Sequence, residues 1–261
     1  MSDYEARFSG IRRLFSAEGL ERLRRAHVCV IGIGGVGSWA VEALARSGVG
    51  SLTLVDLDDV CVSNINRQIH ALDGTVGRAK VQVMAERIRA VSPGCSVTPV
   101  HAFFTEANAR DILQTRFEYV LDAIDSPSKK CLLIASCRER SIPVFVAGGA
   151  GGRRNPTALK ISDLAFSTHD RLLQAVRSTL RSEFGFPRDG KPFRIDCVFS
   201  TEPVVYPRPD GTVRAEREPG ANLRLDCDSG YGTASFVTGA FGFAAAGYIV
   251  EKIACKPDTK K

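Results

Sequence analysis

The chain has 261 residues, 44% of them hydrophobic and 25% charged, with a formal net charge of +6. That balance suffices for one sizeable core or two smaller ones and excludes a disordered or fibrous chain. Eight scattered cysteines, none in C-x-x-C spacing, exclude a small disulfide scaffold and argue against a structural zinc site, so reduced thiols in a cytosol are expected.

The opening stretch "MSDYEARFSGIRRLFS" carries charge throughout and no apolar run before a cleavage site, so a cytoplasmic protein without a secretory signal is expected. Short β-rich runs then alternate with longer helical ones, the pattern of βαβ units. "AHVCVIG" reads as a strand, Ser38 to Ser47 as a helix and "SLTLVD" as a second strand. "GRAKVQVMAERIRAVSP" reads as a helix with Val81, Met84, Ala85 and Ile88 on one face and Pro93 closing it. "CSVTPVHAFF" follows as a strand, "NARDILQTR" as a short helix, "FEYVLDAID" as a strand and "SKKCLLIASCRERS" as a helix leading into "IPVFVAGGAGG". The expected fold is α/β, a doubly wound, mostly parallel, Rossmann-like sheet.

Residues 1–150 are expected to form the nucleotide-binding region. Residues 151–261 are expected to form a C-terminal elaboration for substrate and dimer contacts, continuous with it in one globular unit. The second part offers strands at "ALKISDL" and "DCVFSTEPVVYP", a basic helix from Leu172 to Phe184 and a polar loop from Pro207 to Arg224. Between Ala150 and Ile195, nine Lys or Arg stand against four Asp or Glu, which suits either a polyanionic partner or the solvated face of a helix. Gly230 to Val250 carries no charge and is long enough to span a bilayer, but five glycines weaken its transfer free energy. A helix buried in the core or at an interface is expected, with membrane association as the alternative.

Gly32, Gly34 and Gly37 fit G-x-G-x-x-G between a strand and a helix, and Asp56 ends the next strand. Such glycines let backbone amides approach phosphates, while the carboxylate can bond ribose hydroxyls. A dehydrogenase would need no more, but "DLDDVCVSNINRQIH" adds Asn64, Arg67 and Gln68, and Lys80 opens the next helix. A guanidinium and an ammonium aimed at a leaving pyrophosphate lower the barrier to attack on an α-phosphorus. Each alone also suits a solvated surface. Asp125, after "VLDAID", could hold Mg2+ or cap the helix that begins near Pro127.

"GIGGVGSWAVEALARSGVG", "LVDLDDVCVSNINRQ", "VGRAK" and "DAID", in this order, resemble the ubiquitin-activating E1-like superfamily, which includes the ThiF and MoeB type adenylating enzymes. The resemblance implies adenylation of a carboxylate with ATP and Mg2+, with Gly34, Gly35, Asp56, Asn64, Arg67, Gln68, Lys80 and Asp125 at nucleotide-site positions. Asp58 joins that set, and Arg67, Lys80 and Asp125 are the expected catalytic groups, Asp125 as metal ligand. The resemblance also implies a homodimer in which an N-terminal arginine, Arg7 or Arg13, crosses to the partner's site.

"NRQIHAL", "VAGGAGG", "DCVFSTEPVVYP" and "DCDSGYGT" resemble the branch of the superfamily that dehydrates threonylcarbamoyladenosine at position 37 of tRNA. That branch implies a tRNA partner, for which Arg153, Arg154, Arg177 and Arg181 are candidate contacts. It also implies a lid, made by the Pro207 to Arg224 loop or by the glycine run at 148–152, that keeps water from an acyl adenylate. Cys197 and Cys227 each follow an Asp, which raises a nucleophile reading, Cys227 the stronger candidate; Cys197, beside Val198 and Phe199, is expected to be a small buried hydrophobe. His70 and His101 are expected to be structural. Three alternatives stay open: an activase for a ubiquitin-like sulfur carrier, a nicotinamide-dependent oxidoreductase, and an adaptor that docks a cysteine desulfurase or other sulfur-transfer partner.

Overall fold

In the computed structural model, residues 3–216 and 231–256 are described. The N-terminal segment, where the sequence pattern predicts no element, forms α1 (Asp3–Arg7) and α2 (Ser9–Arg25). Only Gly19, Leu20 and Leu23 of α2 are buried, too sparse a stripe to register as helical periodicity, and Ser16 kinks the helix at φ 69°. β1 (His27–Ile31), α3 (Gly35–Arg46) and β2 (Ser51–Val55) follow, then α4 (Lys80–Val91), β3 (Ser96–Val100) and α5 (Glu106–Ile112). The chain continues through β4 (Tyr119–Asp122), α6 (Pro127–Glu139), β5 (Val144–Ala147), β6 (Leu159–Asp163), α7 (Arg171–Glu183) and β7 (Asp196–Ser200). A pair of two-residue strands, β8 (Tyr206–Pro207) and β9 (Val213–Arg214), precedes α8 (Ser235–Ala254).

Seven strands form one sheet in the order β3-β2-β1-β4-β5-β7-β6, parallel except for the antiparallel edge strand β6. β6 and β7 join the same sheet as the first five strands, so position 150 falls inside one layer. Two expected strands are shorter than their apolar runs. β3 stops at Val100, leaving His101 to Phe104 as a loop, and "DCVFSTEPVVYP" breaks after Ser200.

The alternation of β1 explains the two cores. Val28 and Val30 face α3, α4 and α8, whereas Cys29 and Ile31 face α6 and α7. A parallel sheet covered on both faces needs such apolar runs, because neither face meets water. α8 is one helix long and apolar enough to cross a membrane, and it packs instead along α3. A Cβ at Gly242 would lie 2.6 Å from the Val36 carbonyl oxygen, so this glycine lets the two backbones approach closely.

Candidate functional site

Register alone assembles the site. Val100, Val55, Ile31, Asp122 and Val146 are aligned neighbours across β3, β2, β1, β4 and β5, so the loops that follow them emerge along one edge. Chain order reverses between β1 and β4, and in open α/β sheets a crevice for ligands opens at that reversal. Here it is a cavity of about 1030 Å³. Gly32, Gly34, Gly35, Asp56, Asp58, Asn64, Arg67, Gln68, Lys80 and Asp125 all line it.

The glycine turn divides its labour. Gly34 leaves open space where a Cβ would stand, and Gly35 starts α3 three residues before the expected Ser38, so the start of the helix, Gly34 to Val36, lines the cavity, where the first helical turn offers amides without intrahelical acceptors. Gly37 does not line the cavity, a correction to its expected ligand role. A Cβ there would sit 1.8 Å from the Gly32 carbonyl oxygen, so Gly37 is a packing residue beneath the turn. Gly32 itself has φ +93°, and a Cβ would fall 2.7 Å from the Ala123 carbonyl oxygen. Gly32→Ala is therefore expected to lower stability by about 1–3 kcal/mol, read as a shifted urea midpoint, and to weaken nucleotide binding, whereas Gly34→Ala shifts binding alone.

Asp56 accepts the Ile33 amide at 2.6 Å through Oδ2 and the Asp58 amide at 2.8 Å through Oδ1. Burial raises its carboxyl pKa, with Lys80 and the two amides opposing. Each oxygen keeps a further lone pair for a hydroxyl. Lys80, expected to be solvated if taken alone, is only 5% exposed, and its Nζ donates to Asp58 Oδ2 at 2.8 Å. Arg67 is half-buried and donates from Nη1 to the Ser63 carbonyl at 2.6 Å and to Asn66 Oδ1 at 3.0 Å. Its own carbonyl accepts from Trp39 Nε1 and Thr238 Oγ1, which pins the residue to α3 and α8. Asn64 is buried and its Oδ1 accepts the Cys61 amide, while Gln68 Oε1 is buried with no partner among the described residues.

Asp125 is exposed and makes no hydrogen bond or ion pair among the described residues. It does not cap α6: Ser126 occupies that position and Pro127 begins the helix, which frees the carboxylate for the cavity. Behind it, Lys130 and Asp122 form an ion pair at 2.9 Å in which both side chains are fully buried. Nothing in the sequence pattern marks Lys130 as a core residue.

Other expectations are corrected. Arg153 is 3% exposed and its guanidinium donates to the carbonyls of Gly149, Glu202 and His169, so it braces loops and offers no surface for RNA. Arg177 donates to Ser167 Oγ, and Arg181 donates to the Pro187 carbonyl and lies over the Phe193 ring. Arg154 is exposed, as are Arg171, Arg188, Lys191 and Arg194. The glycine run is not a lid: Gly148 N–H donates to Val198, Gly149 N–H to Asp170 Oδ2 and Gly152 N–H to Gly232, which fixes it as a floor. Cys197, by contrast, is buried in β7 as expected of a small hydrophobe, and burial pushes its thiol pKa up. Cys227 and the loop beyond residue 216 lie outside the described residues. Arg7 pairs with Asp3 on α1, and Arg13 is exposed on α2.

Sequence reasoning missed Phe103, Phe104, Lys129 and Tyr231, which also line the cavity. The paired phenylalanines after a strand were the available signal, hidden because they continue an apolar run. His101 Nε2 bonds the Leu57 carbonyl, a structural role as expected. His70 is 1% exposed, neither ring nitrogen has a partner among the described residues, and burial, then Lys80 and Arg87, lower its pKa to about 4. A folded-state pKa below the unfolded value means that the stability from the neutral ring is complete above about pH 6.5 and is lost as pH falls toward 4. The loss should approach about 3 kcal/mol below pH 4. Urea midpoints measured from pH 7.5 to 4.5 should fall in the native chain and fall less in His70→Gln.

The fold and cavity define a Rossmann-like α/β protein with a nucleotide-type glycine turn and fixed cations at its switch point. A model of the ThiF family matches residues 9–260, and the chain belongs to that family. It is 49% identical over 255 residues to the tRNA threonylcarbamoyladenosine dehydratase of Escherichia coli K12, covering 97% of this chain and 95% of that one. The crystal structure of the E. coli enzyme, TcdA, in complex with ATP superposes with a TM-score of 0.87 at 46% identity, over 98% of this chain and 97% of that one. A molybdopterin-synthase adenylyltransferase of Salmonella typhimurium is 39% identical over only 140 residues, 54% of this chain and 55% of that one.

Proposed function

We propose that the chain is an ATP-dependent tRNA threonylcarbamoyladenosine dehydratase. The observation that carries this reading is the meeting of Asp56, Arg67, Lys80 and Asp125 in one cavity, in a chain similar over nearly its full length to dehydratases. The threonyl carboxylate attacks the α-phosphorus of ATP, the bond to the β-phosphate breaks, and pyrophosphate leaves. An atom of the substrate's carbamoyl group then attacks the activated carbonyl, AMP departs with one former carboxylate oxygen, and a proton is released. The net loss is one water, and proximity replaces an external nucleophile.

In this scheme Asp56 holds the ribose, the Gly34 and Gly35 amides receive phosphate, and Gln68 and Asn64 offer polar atoms beside it. Arg67 and Lys80 stabilise the charge that builds on the leaving pyrophosphate. No thiol is needed. Asp125 fits Mg2+, which takes one or two carboxylates plus phosphate oxygens and waters; when bound, the ion supplies charge neutralisation on the triphosphate. Phe236 and Phe243, exposed two turns apart on α8, support a homodimer.

Mass spectrometry of tRNA nucleosides after incubation with ATP and Mg2+ tests the reading. The expected result is loss of 18 mass units, ~one water, from threonylcarbamoyladenosine, abolished in Asp125→Asn. Pyrophosphate exchange driven by a ubiquitin-like carrier, with none from modified tRNA, would favour the sulfur-carrier activase. Full tRNA modification by an Arg67→Ala, Lys80→Ala chain would favour the adaptor for a sulfur-transfer partner.

A further inference from the structure

The cavity stands at the upper end of the size range for small-molecule sites. It runs from the end of β2 to the end of β5, three strand spacings or about 14 Å. If Asp56 at β2 holds the ribose and the β1 turn holds phosphate, the β5 half is left for the second substrate. That half has a distinct chemistry. Its floor is the backbone of Gly149 to Gly151, and its sides are Leu172 and Tyr231.

A Cβ at Gly149 would lie 3.9 Å from Leu172 Cβ, so the floor beside Leu172 carries no side chain at that position, whereas Gly152 is buried beneath it against Val204 and Tyr231. Hydrogen bonds from Gly149 to Asp170, from Gly152 to Gly232 and from Val205 to Gly152 hold the floor from both sides. Tyr231 is half-buried and braced from behind, its ring 5.7 Å from that of buried Tyr206, which in turn lies beneath the exposed Arg171 guanidinium at 5.6 Å. Asp170, beside the floor, is occupied by the Gly149 and Leu173 amides. An aromatic face, an apolar side and a floor of small residues suit a planar ring, and single-stranded RNA loops are read by stacking splayed bases on aromatic faces.

We propose that Tyr231, Leu172 and the Gly149–Gly151 floor form a base-stacking subsite that receives an unpaired purine of the RNA substrate. This rests on the dehydratase reading above. Tyr231 would be a specificity-determining residue that touches the substrate base and takes no part in breaking the triphosphate.

The test uses the full chain with two probes. One is modified tRNA, for which KM and kcat are measured. The other is an anticodon stem–loop with 2-aminopurine at the target position, whose fluorescence falls on stacking. Tyr231→Ala is expected to raise the KM for tRNA by about 5- to 150-fold with a smaller change in kcat, and to abolish the quench. Tyr231→Phe restores both, and the Kd for ATP stays that of the native chain. Leu172→Ala, which leaves Tyr231 braced, should reduce the quench if Tyr231→Ala proves unfolded. Unchanged KM and quench in the alanine variants, or parallel loss of ATP binding, would overturn the subsite. So would Tyr231-dependent pyrophosphate exchange with a carrier protein's C-terminus. Quenching without turnover by the native chain would overturn the dehydratase reading and leave the stacking subsite standing.

Discussion

Arg67→Ala and Lys80→Ala should each lower tRNA-dependent pyrophosphate release by about 10²–10³-fold while the unfolding temperature stays near that of the native chain. Both cations are held before any ligand arrives. Lys80 is fixed by Asp58, and Arg67 by Ser63 and Asn66 on its side chain and by Trp39 and Thr238 on its backbone. A donor already in place needs no reorganisation as charge develops, which is why its removal costs rate more than binding. The stability cost is small, because Asp58, which Lys80→Ala leaves without its ion pair, has a side chain 53% exposed to water, and Asp56, whose charge Lys80 also favours, keeps its two amide donors. Turnover within tenfold of the native chain in either variant would remove that cation from the chemistry. Asp58→Asn should give an intermediate loss, because it loosens Lys80 without deleting it.

The second large effect is on stability. Lys130→Met should destabilise the fold by about 3–5 kcal/mol, since it leaves the fully buried Asp122 carboxylate without its cation. Asp122 then keeps only the Ile124 amide on Oδ1, and Oδ2 has no partner among the described residues. Burial already raises the Asp122 pKa, and Lys130 opposes that rise. Without Lys130 the folded-state pKa climbs further above the unfolded value. The stability contribution of such a group is complete below its unfolded pKa and is lost as pH rises through its folded pKa. The deficit of the variant should therefore be smallest in acid and grow toward pH 8, which urea titrations at both ends will read. Lys130→Met with Asp122→Asn should recover part of the loss. A single variant as stable as the native chain at pH 8 would show that the pair carries no weight.

The fold was legible because its signals are local. Five parallel strands announced themselves as short β-branched runs, and the glycine turn sat between a strand and a helix as the fingerprint requires. Asp56, Asn64, Arg67, Gln68, Lys80 and Asp125 were assigned from their order and family resemblance, and parallel register brings them to one edge. The elements that escaped were those whose burial is sparse, such as α2, or whose apolar run outlasts the strand, as beyond Val100.

By itself the sequence determined the α/β class, the strand that carries the glycine turn and most of the charged residues that line the cavity, since each depends on near neighbours in the chain. Only the tertiary structure decided between chemically identical residues. Arg153 is caged while Arg154 is exposed, Lys130 is buried while Lys129 faces the cavity, and Gly37 packs while Gly34 stays open. The partners that make those choices, Glu202 and His169 for Arg153 and Gly32 for Gly37, are fixed by how the chain folds back, and no count of charges or glycines contains them.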